Sequence, residues 1–300
     1  MRTKIGFMGS LAFRLGLIVF MLAVFLGTAL AGDLPDVKKR GVLRHLGIPY
    51  ANFVSGSGDG LDVELMKLFA KHLNVKYAYV KTDWDYVMGD LTGKKVNVKG
   101  EEVEFTRDVP VKGDVIACGM TWLPWRQKVV DYSLPTFPTQ VWLVARADSV
   151  LKPIVPSGDL ARDITVVREL LKGHAVLGKA NTCLDPKLNR LEETGAEVKV
   201  FKGGLNELAP AIINGEAETT VLDVPDALIA LEKWPGKVKV IGPVSPVQEM
   251  GCGFAKTSPS LREAFNSFYK KLRKGGTYRH LVEQYYPAVF AHYPEFFKEL

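Results

Sequence analysis

The sequence contains few residues of the kinds that build metal or redox centres. Its 300 residues include only three cysteines and five histidines. The cysteines, Cys118, Cys183 and Cys252, lie too far apart for a CxxC motif, and the histidines lack ligand spacing. No Ser-His-Asp or Cys-His constellation is recognisable either. We therefore expect neither a metal nor a cofactor.

The sequence also lacks a strong charge of either sign. Its formal net charge is +6, and Arg2, Lys4 and Arg14 contribute three of these positive charges. Residues 1–31 contain no acidic residue, so the remaining chain has a net charge of +3. Its basic residues are scattered and form no stripe with interleaved aromatics. A nucleic-acid partner is therefore not indicated.

Long hydrophobic runs are absent except at the start, where "LGLIVFMLAVFLGTALA" follows a basic segment. The run ends in Ala29-Leu30-Ala31, a small-x-small pattern typical of signal-peptidase cleavage before Gly32. A membrane anchor is the alternative interpretation, since the run is long enough to cross part of a bilayer. No cysteine follows the cleavage site, which argues against a lipid anchor. We expect residues 1–31 to be a cleaved signal peptide and the remainder to be soluble and periplasmic.

Strand-like and helix-like segments alternate after residue 40, which is typical of an α/β fold. The pattern predicts strands at 41–48, 75–80, 113–120, 174–180, 197–201, 219–223 and 250–256. It predicts helices at 61–73, 84–93, 183–195, 205–216, 260–276 and 277–286. The repeated plan indicates two lobes that face one another across a hinge. We place lobe 1 at residues 32–143 and 249–300, and lobe 2 at residues 144–248.

The segment 95–112, "KVNVKGEEVEFTRDVPVK", interrupts this plan. Alternating valine and polar residues around Lys99 and Gly100 predict a hairpin, which we interpret as a surface decoration. Cys118 and Cys252 are expected on neighbouring strands of lobe 1, whereas Cys183 belongs to lobe 2. A Cys118–Cys252 disulfide and three free thiols are both compatible with this arrangement.

Four segments, in chain order, resemble the family of periplasmic solute-binding proteins that deliver polar amino acids to ABC importers. They are "GVLRHLGIPYANF", "GLDVELMKLFAKHL", "GDVIACGMTWLPWRQKVVDYSLPTF" and "NGEAETTVLDVP". The third is similar to the family's strand followed by Gly-x-Thr, Pro-x-Arg and Val-Asp-aromatic-Ser. The resemblance implies an α/β, two-lobed periplasmic-binding-protein type II fold with two hinge crossings and a ligand cleft between the lobes. We expect a monomer that passes a small ligand to an ABC permease.

The resemblance implies a site for both charged ends of an amino acid. Arg126 occupies the family position that pairs with the ligand α-carboxylate, and a guanidinium matches a carboxylate with two parallel hydrogen bonds. Thr121 would add a hydroxyl, and Gly119 would let the ligand approach the backbone. Asp223 aligns with the carboxylate that receives the α-amino group. One lobe would therefore hold the negative end of the ligand and the other lobe its positive end.

Four further residues are similar to ligand contacts of the family. Tyr50 and Trp84 occupy the positions of two aromatics that sandwich the ligand side chain. Thr182 lies in a loop that resembles the family's strand-to-helix turn, where the helix dipole would favour ligand oxygens. Lys179 is a weaker candidate in the same loop. Core packing is the alternative for the two aromatics, and a solvated position is the alternative for Lys179.

Arg126 also has a structural alternative. Arginine is rarely fully buried unless it is paired. A salt bridge with Asp131 or Asp85 would supply such a partner within lobe 1.

Several positions depart from the family pattern. Gly47 replaces a pocket acid, and Asn181 and Cys183 flank Thr182 where Gly and a small residue are usual. Trp122 and Trp125 add indoles on either side of the turn before Arg126. These departures predict a ligand with an amino-acid head and a neutral or hydrophobic side chain.

Two other functions share this fold. Periplasmic cyclohexadienyl dehydratases use an acid in the second-lobe loop, and here Leu184 occupies that place with Asp185 beside it. A ligand-sensing protein that docks on a separate partner is the other alternative. We expect a binding protein and not an enzyme.

Overall fold

The computed structural model describes residues 32–56 and 58–298. The predicted signal peptide, residues 1–31, lies outside this part of the chain. The described residues fold into two lobes, each built on a five-stranded sheet with helices packed against it. The predicted α/β, two-lobed fold is therefore confirmed. Within these residues, no helix combines the length and the apolar character needed to cross a bilayer.

The first part of lobe 1 contains three helices, four strands that include a hairpin, and a short central strand. These are α1 (Leu34–Arg40), β1 (Val42–Gly47), α2 (Leu61–His72), β2 (Lys76–Lys81), α3 (Val87–Thr92), β3 (Lys94–Lys99), β4 (Glu102–Asp108) and β5 (Val115–Ile116). They are followed by α4 (Pro124–Val129) and β6 (Val130–Tyr132), and then by β7 (Phe137–Thr139), which leaves the lobe.

Lobe 2 contains five strands and three α-helices. They are β8 (Val141–Arg146), α5 (Leu160–Leu170), β9 (Ala175–Gly178), β10 (Glu197–Val200), α6 (Leu208–Ile213), β11 (Thr219–Asp223), α7 (Val224–Lys233) and β12 (Val238–Pro243). The chain then returns through β13 (Gln248–Met250) to β14 (Gly253–Ala255), α8 (Pro259–Lys274), α9 (Thr277–Tyr285) and α10 (Val289–His292).

The strand order brings the carboxyl ends of central strands to the cleft in both lobes. The lobe 1 sheet has the order β2-β1-β5-β14-β6, and β1 is parallel to both β2 and β5. The lobe 2 sheet has the order β10-β9-β11-β8-β12, and β11 is parallel to β9 and antiparallel to β8. In parallel α/β sheets, ligands bind outside the carboxyl ends of the strands. The loops after β5 and β11 are therefore placed to form a site.

Helix α2 shows how the apolar pattern produces this packing. Leu61, Leu65, Met66 and Phe69 recur at helical spacing, and all four are buried. This apolar face packs against β1 and β2 and against the C-terminal helices. Buried Asp62 in the first turn of α2 accepts a hydrogen bond from a backbone N–H beyond β5, which ties the helix to the cleft-forming loop.

Two short neighbouring strands join the lobes. Strand β7 pairs antiparallel with β13, with Thr139 opposite Gln248 and Phe137 opposite Met250. The two chain crossings therefore lie side by side and form the hinge. The boundary that we placed after residue 143 falls inside β8, all of which belongs to the lobe 2 sheet.

The helix predicted at 183–195 is wrong. Within this segment the structure contains turns and one 3₁₀ helix, Leu191–Thr194. The Asp185 carboxylate accepts hydrogen bonds from the N–H groups of Asn181 and Lys187, and the Asn189 amide donates to the carbonyls of Cys183 and Asp185. Such local bonds from Asp and Asn side chains compete with helical hydrogen bonds. Thr182 consequently does not lie at an α-helix N-terminus.

Two other elements refine the predictions. Residues 113–120 are all buried, as a central strand requires, but only Val115–Ile116 are paired as β5. The hairpin predicted at 95–112 is confirmed as β3 and β4, with Lys99 opposite Glu102 and Gly100 in the turn at φ 64°. The three cysteines are buried and free.

Two glycines with nearly the same backbone conformation allow packing to be separated from backbone strain. Gly119 has φ 62°, and a Cβ at this position would overlap the ring of Phe53. Gly100 has φ 64° and no atom within 4 Å of such a Cβ. We predict that Gly119→Ala lowers the free energy of unfolding by about 2–4 kcal/mol, because conformational cost and overpacking add.

The Gly100→Ala variant is the matched control and should lose only about 1 kcal/mol. Urea unfolding of both variants measures the difference. Equal losses in the two variants would contradict the proposed packing role of Gly119.

Candidate functional site

Arg126 lies inside the protein, at the cleft side of lobe 1. Helix α4 begins at Pro124, whose ring favours the first helical position, and places Arg126 two residues later. Only 1% of Arg126 is exposed. A guanidinium remains charged at any ordinary pH. The fold therefore holds a permanent positive charge away from bulk water.

The guanidinium is only partly satisfied by the protein. Its Nη1 donates to the carbonyl oxygen of Thr121 at 3.1 Å, whereas Nε and Nη2 have no hydrogen-bond partner within the described chain. Its Cζ lies 4.8 Å from the ring centre of Trp84 and 5.3 Å from that of Trp125. These indole faces stabilise a cation but accept no hydrogen bond in its plane. Two parallel donors thus stay unused.

The alternative in which Arg126 forms a salt bridge with Asp131 is wrong. That carboxylate forms ion pairs at 3.3 Å with Lys256 and Arg262. Asp85 is exposed, and among the ion pairs of residues 32–56 and 58–298 none joins it to Arg126.

Asp223 is the buried charged residue at the cleft side of lobe 2, opposite Arg126 in lobe 1. It is the last residue of β11 and directly precedes α7, which has Pro225 in its first turn, and its side chain is fully buried. Its Oδ2 accepts hydrogen bonds from the Tyr50 hydroxyl at 3.1 Å and from the Cys183 thiol at 2.9 Å. Its Oδ1 has no partner in the described residues.

The electrostatic environment of Asp223 combines opposing effects. Burial raises its pKa to about 6, while the hydrogen bonds from Cys183 and Tyr50 and the charge of Arg126 act in the opposite direction. Tyr50 comes from lobe 1, so its hydrogen bond to Asp223 joins the lobes. The lobes are therefore closed on one another at this point.

Tyr50 and Trp84 form adjacent walls. Their ring centres are 6.5 Å apart, with the rings edge to face, and Tyr50 also stacks on Phe53 at 6.1 Å. Trp84 is half-buried, and its indole Nε1 is a buried donor without a partner in the described chain. Tyr50 therefore contacts Asp223, Trp84 contacts Arg126, and the two rings meet edge to face instead of lying parallel as a sandwich would require.

Thr121 and Gly119 lie in the loop between β5 and α4. Thr121 is fully buried, and its hydroxyl has no partner among the described residues. Gly119 donates its N–H to Asp62 at 2.7 Å, and its missing side chain makes room for Phe53. The structure thus gives Gly119 a packing reason that is independent of any ligand.

Thr182 and Lys179 find partners within lobe 2. The Thr182 hydroxyl donates to the Lys179 carbonyl and accepts from the N–H of Leu184. The Lys179 ammonium donates to the carbonyl of Lys202 at 3.2 Å. Their side chains shape the loop that carries Cys183, and a contact with ligand stays a prediction.

Two buried residues of the site were missed by the sequence analysis. Cys183 donates its thiol to Asp223, and burial raises the pKa of this thiol well above its usual value. Asp226 is 6% exposed, and its Oδ2 lacks a partner in the described chain. The Asp-Val-Pro-Asp sequence is the signal that could have found Asp226, because residues three apart share a helix face.

Among the carboxyl groups of the site, Asp226 has the pKa that is shifted furthest from its usual value. Burial, with a further contribution from the neighbouring charge of Asp223, raises its pKa to about 8. Within the described chain, no group of three or more His, Cys, Asp or Glu residues is arranged to hold a metal ion.

Comparison with known proteins agrees with this geometry. Residues 111–288, more than half of the chain, match the family described as bacterial extracellular solute-binding proteins, family 3. A solved structure of the arginine-bound form of truncated ArgBP from T. maritima superposes with a TM-score of 0.61 and 26% identity. It covers 79% of this chain and 99% of its own.

Two curated relatives have different functions by name: one is a binding protein and the other a transglycosylase. The octopine-binding periplasmic protein of Rhizobium meliloti is 24% identical over 70% of this chain and 70% of its own length. The membrane-bound lytic murein transglycosylase F of Desulfosudis oleivorans is 23% identical over 77% of this chain. This chain spans only 44% of that transglycosylase.

Asp226 should make the stability of the ligand-free protein depend on pH. Its folded-state pKa of about 8 lies above the unfolded value of 3.8. Between these values the folded state retains a proton that the unfolded state has lost, so the free energy of unfolding falls as pH rises. We predict that Asp226→Asn reduces the loss of stability between pH 5 and pH 8 by about 1–3 kcal/mol.

Urea unfolding at the two pH values provides the measurement. Asp148→Asn is the control, since this carboxylate is exposed and its pKa is lowered. The same pH dependence in wild type and Asp226→Asn would show that Asp226 does not titrate as described.

Proposed function

Since the chain belongs to the bacterial extracellular solute-binding proteins, family 3, we propose that it captures an amino acid or a similar small zwitterion between its lobes. The ligand is then delivered to an ABC permease. The protein acts as a carrier and leaves the ligand chemically unchanged.

One observation carries the proposal: opposite charges from opposite lobes are buried together with hydrogen-bonding atoms unused. Arg126 offers Nε and Nη2, and Asp223 offers Oδ1. A buried polar group without a partner costs about 1–3 kcal/mol, and a charged group costs more. A ligand that satisfies both residues removes these costs, so binding is favoured over the empty site.

The free atoms of Arg126 match a carboxylate. Because Thr121 already engages Nη1, the guanidinium presents Nε–H and Nη2–H side by side, in the geometry that binds two carboxylate oxygens. The Thr121 hydroxyl is a further unused donor in the same loop. Together they support recognition of the ligand α-carboxylate by lobe 1.

The free oxygen of Asp223 matches an ammonium group. Each charge-assisted hydrogen bond contributes about 1.5–3 kcal/mol, so the two poles of a zwitterion supply roughly 5 kcal/mol. Micromolar affinity requires about 8 kcal/mol. Burial of one ligand side chain against Trp84, beside the Tyr50 ring, supplies most of the difference, since a buried side chain contributes about 1.5–3 kcal/mol.

The remaining predicted contacts belong to this proposal. A backbone contact at Gly119 stays a prediction, and it is limited to the carbonyl side, because its N–H binds Asp62 and Phe53 fills the space beside its Cα. Thr182 and Lys179 face the ligand from the lobe 2 loop that follows β9. The ligand-holding lobes correspond to the predicted ranges 32–143 with 249–300 and 144–248, except that all of β8 (Val141–Arg146) belongs to lobe 2.

The proposed location follows from the first segment of the chain. Residues 1–31 have a basic start, an apolar run and a small-x-small end, which supports export and cleavage. We place the mature protein in the periplasm as a soluble monomer. Its partners there are the small ligand and the permease.

The proposal predicts that ligand affinity depends on the planar shape of the Arg126 guanidinium as well as on its charge. Arg126→Lys keeps the positive charge but removes the planar fork, so we expect affinity to fall at least 100-fold. A thermal-shift screen of the standard L-amino acids and octopine first identifies a stabilising compound, and calorimetry with that compound then compares the variants.

Arg262→Lys is the matched control, because Arg262 pairs with Asp131 on the surface of lobe 1. It should bind like wild type. Unchanged affinity in Arg126→Lys, or a screen in which no α-amino acid stabilises the protein, would refute the proposed function.

The proposal also predicts how affinity depends on pH. An ammonium group requires ionised Asp223, and the pKa of this carboxyl is about 6 in the ligand-free protein. Protons therefore compete with the ligand below pH 6, and affinity should fall about tenfold between pH 7 and pH 5.

Calorimetry at both pH values measures this effect with the compound from the screen. Asp223→Asn should bind weakly and show no such dependence. A dependence that persists in Asp223→Asn would assign the titration to another group.

Conversion of a ligand is tested separately. In the loop where dehydratases carry their acid, Leu184 is fully buried and the Asp185 carboxylate is occupied by two backbone N–H groups. Incubation with prephenate or arogenate should yield no aromatic product. Recovery of a kinase and no permease from membranes by the bound protein would favour the sensing alternative.

A further inference from the structure

A cavity of about 530 Å³ lies between the β3–β4 hairpin and α3. This volume is within the range of small-molecule pockets. The hairpin is therefore more than the surface decoration predicted from the sequence, because it encloses space beside the proposed ligand site.

The cavity shares two walls with that site. Trp84 and Trp125 both line the cavity. Their ring centres lie 4.8 and 5.3 Å from the Cζ of Arg126. Asn181 of lobe 2 also lines the cavity, so it opens at the interface between the lobes. The cavity is therefore adjacent to Arg126, from which the rings of Trp84 and Trp125 divide it.

The middle of the cavity is apolar. Met88 on α3 is buried, and Val96 and Val98 on β3 are half-buried and pack against the core. The two tryptophan rings continue this lining toward Arg126. An alkyl chain would be desolvated here, and each buried methylene contributes about 0.8 kcal/mol to binding.

The outer end of the cavity carries an excess of positive charge. Its lining includes Lys112, which is paired with Asp90 at 2.8 Å, and Arg107, which forms no ion pair within the described chain. Lys95 and Lys99 also line the cavity, but strand alternation turns them away from the face of Val96 and Val98. Arg107 is thus the cation best placed for a ligand. The whole lining carries four cations, Lys95, Lys99, Arg107 and Lys112, against the two carboxylates Asp85 and Asp90, so its net charge is positive.

We propose that the cavity binds the side chain of the ligand and that Arg107 selects a second, distal carboxylate. The substrate class is an α-amino acid with an apolar chain that ends in an anionic group. This class replaces the neutral or hydrophobic side chain predicted from Gly47 and the tryptophans, because the cavity lining adds Arg107 to them. This inference rests on the proposed function, since it requires the α-carboxylate at Arg126. The hairpin is then the element that determines specificity.

Three amino acids with the same head and different chain ends provide the test: L-2-aminopimelate, L-norleucine and L-lysine. Calorimetry with wild type should show L-2-aminopimelate binding about tenfold more tightly than L-norleucine, with L-lysine the weakest. Arg107→Ala should remove this advantage and leave L-norleucine within twofold of wild type. Arg107→Glu should reverse the order of L-2-aminopimelate and L-lysine.

Lys94→Ala is the matched control. Lys94 lies on the same hairpin, outside the cavity, and pairs with exposed Asp108. This variant should retain the wild-type order of affinities. Thermal melting of all variants shows whether the hairpin stays folded.

The outcomes separate the two proposals. Equal binding of the three amino acids, or an unchanged order in Arg107→Ala, overturns the role of the cavity and leaves the proposed function standing. Failure of all three to bind, together with no effect of Arg126→Lys in the wider screen, overturns the proposed function itself.

Discussion

The burial of a guanidinium and a carboxylate on facing lobes is the constraint on which the remaining structure depends. Arg126 and Asp223 are both withdrawn from water, and each keeps hydrogen-bonding atoms unused within the described chain. Isolated buried charges are costly unless they are paired and hydrogen-bonded. Helix α4, strand β11 and the hinge strands can hold this arrangement because the surrounding core is large and apolar. The stability of the two lobes thus offsets a local cost that only a ligand relieves.

The contacts of Asp223 contribute to the closed arrangement of the two lobes. Tyr50 approaches from lobe 1 and Cys183 from lobe 2, and both donate to the same oxygen. The Ala51 N–H donates to the Asn206 side chain at 2.8 Å, which adds a second polar contact between the lobes. Only two of these bonds cross between the lobes: the bond from Tyr50 to the Asp223 carboxylate contributes about 1.5–3 kcal/mol and the neutral bond to Asn206 about 0.5–1.5 kcal/mol. Closure is therefore weakly held at this point, as a lobe that must release its ligand requires.

Much of this architecture could be predicted from the sequence, and the failures have physical causes. Periodicity located β1, α2, β11 and the C-terminal helices, because a buried face imposes its spacing on the residues. The helix expected at 183–195 failed because Asp185 and Asn189 bond the local backbone. Cys183 and Asp226 were missed because their roles arise from tertiary proximity to Asp223. The cavity under the hairpin could not be seen, since it depends on how β3 packs against α3 and Trp125.

In the proposed site, the polar groups that would provide affinity lie apart from those that would provide specificity. In the proposed site, Arg126, Thr121 and Asp223 would contact only the head that every α-amino acid shares, so they would not distinguish one amino acid from another. Discrimination must arise where side chains differ, and an apolar pocket alone distinguishes one methylene by only about 1–3 kcal/mol. A charge at the far end of the pocket separates ligands more sharply, because a mismatched end leaves a charge unpaired. The β3–β4 hairpin supplies that charge while the two-lobed core stays unchanged, so ligand preference can vary without disturbing the fold.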